Sequence, residues 1–139
     1  MSEPVSLATL LTPSKTVGRD FPGCDGMEIK LCYLGREEMI KLRKKCLTTK
    51  FNRKTRQPEE TLDEDKFLVN YCDSVIKGWT GFKYKYLEEL LLVDISSMDP
   101  EDDFVYTSEN AQLLMKNSTS FDTWVTDTVS ELENFTQNK

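Results

Sequence analysis

The sequence predicts a mainly α (α+β) fold: a small helical domain carrying a short N-terminal β-hairpin. Two patterns predict it. Apolar residues recur at three- and four-residue steps around 39–47, 67–79, 111–115 and 121–135, the period of amphipathic helices. In one short segment they alternate instead. Met27, Ile29, Leu31 and Tyr33 are separated by Glu28, Lys30 and Cys32, the period of a half-buried strand. The 139 residues suit one domain, expected over 17–135. A loose arm, 1–16, precedes it, and a fraying tail, 136–139, follows.

The arm has one apolar patch, Leu7 to Leu11. "TVGRDFPGCDGMEIKLCYLG" reads as two short strands, with turn chemistry at Pro22-Gly23 and Asp25-Gly26. "REEMIKLRKKCL" reads as a helix whose Met39, Ile40, Leu42, Cys46 and Leu47 share a broad face. Its glutamates come early and its lysines late, as the helix dipole prefers. "TTKFNRKTRQPEE" is polar and holds Pro58, so an exposed loop is expected. Thr61-Leu62-Asp63-Glu64 has the form of a capping box. The helix after it carries Phe67, Leu68, Tyr71, Cys72, Val75, Ile76 and Trp79, and should fray or end at Gly78. Trp79 and Gly81 would then make a structural corner.

"LEELLLVDISS" is open between a short helix and a buried strand, and "SMDPEDD" reads as an acidic loop. Thr107 or Ser108 should cap a helix holding Ala111, Leu114 and Met115. "NSTS" breaks it, and a last helix carries Phe121, Trp124, Val125, Val129, Leu132 and Phe135. Trp79 and Trp124 should each bury on the order of 200 Å², worth several kcal/mol at about 25 cal/mol/Å².

Charge and composition narrow the function. The net charge of -6 disfavours a general nucleic-acid or anionic-membrane binder. No run of 18 apolar residues would cross a bilayer, and "MSEPVSLATLLTPSK" lacks the basic start of a secretory signal. Cys24, Cys32, Cys46 and Cys72 form no CxxC pair, so reduced, buried thiols are expected rather than a zinc site. There is no histidine, which removes the usual Ser and Cys dyads. There is no Gly-rich phosphate loop. Asp99, Glu101, Asp102 and Asp103 lack the EF-hand pattern. Glu88 and Glu89 would diverge by about 100° on a helix. No enzyme, metal or cofactor is expected.

The charge is unevenly spread. Residues 36–56 hold nine Lys/Arg against two acids, and residues 87–139 hold twelve acids against two lysines. The basic run, including Lys41, Lys44 and Lys45, could contact phosphates, so a nucleic-acid-binding regulator acting through 41–56 stays as an alternative. A solvated face, or a contact for acidic groups, is the preferred reading. "LEELLLVDI" carries more apolar surface in Leu87, Leu90, Leu91 and Leu92 than one small face needs. If part of it stays exposed, it marks a partner site.

Taken together, "CYLGREEMIKL", "VIKGWTGF", "FVYTSENAQLLM" and "NSTSFDTWV", in this order over roughly 25–135, resemble the tail assembly chaperones of long-tailed bacteriophages. The residues that carry the likeness are Gly78, Trp79, Gly81, Phe104, Asn110, Phe121 and Trp124, expected to be structural. The stretch between Phe82 and Phe104 is longer than in many relatives. The resemblance implies a non-enzymatic assembly factor, acting in the host cytoplasm without a cofactor. Such a factor coats the tape measure protein, brings tail tube protein to it, and is absent from the mature virion. It also implies that a longer, frameshifted product can exist. Self-association and a permanent place as a minor tail protein stay open.

Overall fold

The computed structural model describes residues 4–11, 15–131 and 135. Along the chain run α1 (Leu7–Leu10), β1 (Thr16–Asp20), β2 (Glu28–Cys32), α2 (Arg36–Lys45), β3 (Leu47–Asn52), β4 (Gln57–Leu62), α3 (Glu64–Val75), β5 (Ile76–Thr80), α4 (Tyr84–Leu90), α5 (Ser108–Asn117) and α6 (Thr119–Ser130). A mainly helical fold is not what forms. The fold is mixed: of the described residues 44% are helical and 23% are strand, with a three-stranded and a two-stranded sheet.

Two segments account for the difference. The first is the end of the long apolar stripe. Helix α3 stops at Val75, and Ile76–Thr80 becomes β5, antiparallel to β2. Its register runs Ile29↔Trp79, Lys30↔Gly78, then Leu31↔Ile76, so Lys77 is an extra, bulged residue. The bulge puts Ile76 and Trp79, three residues apart, on the face shared by Ile29 and Leu31. A three-residue step between buried residues normally signals a helix; here it signals a bulged strand. Gly78 therefore does not end a helix but lies inside a strand, opposite Lys30.

The second segment is 47–62, expected as a loop. It is the hairpin β3–β4, with Phe51 opposite Pro58. Thr48, Thr49, Phe51 and Thr61 suit a strand. The Asn52 side-chain oxygen accepts from the Lys54 and Thr55 amides, closing the turn. Both strands are edge strands, where Pro58 can be accommodated. Thr61 thus sits in β4 and does not cap α3. Asp63 does, accepting from the Lys66 amide at 3.1 Å.

Three smaller differences are that α2 ends at Lys45 so that Leu47 begins β3, that Ile40 is exposed rather than on a shared buried face, and that the expected loose arm holds α1; the other elements follow the sequence reading. β1 and β2 pair from Thr16↔Cys32 to Asp20↔Glu28. Thr107 caps α5 and Ser118 caps α6 through side-chain oxygens. The ambiguous leucine segment divides into α4 and an irregular stretch that closes on Lys83↔Asp103. Thr16, expected in the arm, begins β1. Leu132 and the tail 136–139 lie outside the described residues.

The sheet runs β1-β2-β5. Ile29 and Leu31 point inward and Lys30 outward, so one face is covered. Helices α3 and α6 pack on β2, and α5 packs on both helices. The core joins Met27, Ile29, Leu31, Val75, Ile76, Phe82, Leu114, Phe121 and Val125, all buried.

The exit from β5 rests on Gly81, at φ 69°. A Cβ there would overlap the Gly26 carbonyl oxygen and stand 2.8 Å from its carbon. Gly23, at φ 85°, has open space around it. Gly81→Ala is expected to lower stability by about 2–4 kcal/mol, and Gly23→Ala by only about 1 kcal/mol, in urea titrations.

Candidate functional site

Three places could carry function: the aromatic corner, the buried thiols and the exposed apolar and charged surfaces.

The corner is built around Trp79, 8% exposed. Its indole Nε1–H donates to the Phe104 carbonyl at 2.6 Å, and the Phe104 amide donates to the Phe82 carbonyl at 2.6 Å. Phe104 stacks on the indole with centroids 5.6 Å apart, and Tyr106 meets it edge-on at 5.0 Å. The Tyr106 hydroxyl donates to the Ile76 carbonyl at 3.3 Å. Residues 104–106 thus strap β5 at both ends. Asn110 steadies the strap, its side chain donating to the Val105 carbonyl at 3.4 Å. The polar atoms of its indole and of the Tyr106 phenol are engaged. A second aromatic group forms where Phe21 stacks on Phe121 and meets Trp124 edge-on at 4.9 Å.

The four cysteines are free and buried. Burial pushes the Cys72 thiol up to about 12, with Asp73 adding to the effect. Burial also raises Cys24, helped by Glu89 and Asp25. Neither is a thiolate at neutral pH, so neither is primed as a nucleophile. Among the described residues no three His, Cys, Asp or Glu side chains are placed to hold a metal ion.

The leucines marked as a partner site divide. Leu87 is buried in the core, Leu90 and Leu91 are half-buried against it, and Leu92 is fully exposed. Lys41, Lys44 and Lys45 stand exposed on α2. No hydrogen bond or ion pair joins these lysines to the leucine segment among the described residues.

Apolar surface is exposed elsewhere. Helices α3 and α5 frame a groove of about 240 Å³, walled by Leu68, Val69 and Leu113 and rimmed by Asp65, Glu109 and Lys116. Val69 and Leu113 are 39% and 48% exposed. Neither stands out in the sequence, since each lies beside a core residue, Leu68 or Leu114. The signal was there in a weak form: both helices carry one apolar residue more than their buried stripes use. A second cleft, of about 280 Å³, lies between Arg19 and Asp20 on β1 and Trp124, Asp127, Thr128 and Glu131. Its lining is mostly charged.

No helix of the described residues is long and apolar enough to cross a membrane. No protein-family model, curated protein or solved structure matches the chain.

Trp79→Ala should cost about 3–5 kcal/mol in chemical denaturation, because the vacated space is bounded on several sides by rigid rings. The thiols give a pH dependence. Cys72 is raised from its ordinary 9.0 to about 12. The folded state therefore keeps a proton that the unfolded chain releases. Its contribution is complete below pH 9 and is lost as pH climbs towards 12, by about 1.4 kcal/mol per pH unit. Urea midpoints should fall above pH 9, and Cys72→Ala should flatten the first part of that fall.

Proposed function

We propose that the chain is a non-enzymatic assembly chaperone of phage tails, which binds helical segments of the tape measure protein and helps tail tube protein to assemble. The motif order described above supports this reading. The observation that carries it is the α3–α5 groove. Leu68, Val69 and Leu113 form an apolar floor wide enough for one or two large side chains. The acidic rim at Asp65 and Glu109 suits lysines or arginines beside an apolar stripe. An amphipathic helix presents that combination, and docking it needs shape and desolvation rather than a reactive group.

In this reading the protein works in the host cytoplasm and is absent from the finished particle. A place as a minor tail protein would use the same groove permanently, and mass spectrometry of purified particles separates the two by stoichiometry.

Co-expression tests the chaperone role. The wild-type chain should raise the soluble yield of a tape measure protein and co-purify with it. Val69→Asp with Leu113→Asp should keep the chain folded by circular dichroism while cutting co-purification by about tenfold or more. Equal rescue by both forms would remove the groove from the account, and no rescue by either would remove the chaperone role.

A further inference from the structure

The β3–β4 hairpin is an arm. Every residue from Arg53 to Thr61 is exposed, and the two strands pair only with each other. Residues 50–56 carry Lys50, Arg53, Lys54 and Arg56 and no acid. Among the described residues none of these four has a carboxylate within 4.0 Å; the ion pair at that range is Lys85–Glu101. Phe51 sits among these cations, 66% exposed. An isolated hairpin bearing an aromatic ring and unneutralised charge is poorly stabilised by its own contacts and gains from a partner.

The opposite surface lies elsewhere on the same molecule. Residues 83–105 hold seven exposed carboxylates from Glu88 to Asp103 against Lys83 and Lys85, a net of -5. The hairpin, residues 47–62, holds four cations against Glu59 and Glu60, a net of +2, with Glu59 paired opposite Lys50. Along this acidic segment Leu92 is fully exposed and Val105 is 69% exposed. Each segment thus pairs a net charge of one sign with exposed apolar area.

We propose that the hairpin arm of one copy docks on the acidic, leucine-tipped 88–105 surface of a second copy. Charge sets the approach and the register, while Phe51 against Leu92 and Val105 removes apolar area from water. A second copy is the fitting occupant because every molecule that carries the arm also carries its complement. The two surfaces differ, so the contact is heterologous, and each dimer keeps a free arm at one end and a free acidic surface at the other. The inference rests on charge and exposure alone and stands whether or not the phage reading holds.

Sedimentation velocity on the full chain tests it. At about 0.05 M salt the mass of the wild type should grow with concentration up to about 100 µM, and about 0.5 M salt should return it to monomer. Reversing the arm (Lys50→Glu, Arg53→Glu, Lys54→Glu, Arg56→Glu) or neutralising the acidic surface (Asp102→Asn, Asp103→Asn) should leave each variant monomeric. Mixed in equal amounts, the two should form a dimer that grows no further, since the mixture contains one intact arm and one intact acidic surface. That rescue also shows that both variants are folded. A wild type that stays monomeric, or association that survives in either variant alone, overturns the proposal. So does a monomer whose arm retards single-stranded DNA in a gel, which would assign the arm to nucleic acid instead.

Discussion

The hydrogen bond from the Trp79 indole to the Phe104 carbonyl organises this molecule. It joins the edge strand of the sheet to a segment 25 residues further along the chain. Without that bond a buried indole N–H would be orphaned, at a cost of about 1–3 kcal/mol. The geometry that delivers the indole is equally specific. A bulge at Lys77 brings Ile76 and Trp79 to one face, and Gly81 then turns the chain against the Gly26 backbone. The strap at 104–106 leads directly into the Thr107 cap of α5, so the corner also sets where α5 meets α3. The walls of the groove follow from that placement.

How much of this could be read in the sequence depended on which physical signal was unambiguous. The β1–β2 hairpin was legible because strict alternation has no helical counterpart. The cap of α5 was narrowed to Thr107 or Ser108 because a hydroxyl before an apolar run has one common use, and the break at "NSTS" was legible while its Ser118 cap was not singled out. β5 was hidden because a bulge converts the two-residue period into a three-residue step, continuous with the stripe of α3. The β3–β4 hairpin was hidden because a strand pair with little buried area carries almost no apolar pattern, and Pro58 argued against it.

The candidate surfaces show the same division. The triple leucine announced itself by composition, yet the fold consumes Leu87 and most of Leu90 and Leu91, leaving Leu92. Val69 and Leu113 gave no such announcement, because exposure depends on which neighbours the tertiary structure supplies. The uneven charge was plain in the sequence, and the structure adds its location: a projecting basic arm and an acidic surface on separate elements. The exposed apolar area flanked by charge is the feature on which the proposed polypeptide binding rests.

The central claim is that Trp79 is locked structural framework in a bulged strand. Hydrogen exchange at the Trp79 indole Nε1–H, followed by NMR, addresses it most directly. The account predicts exchange only through global unfolding, with a protection free energy that matches the stability from denaturant titration. Exchange at the rate of a solvent-exposed indole would contradict it, because the bond to Phe104, and the strap that depends on it, would then not be formed in solution.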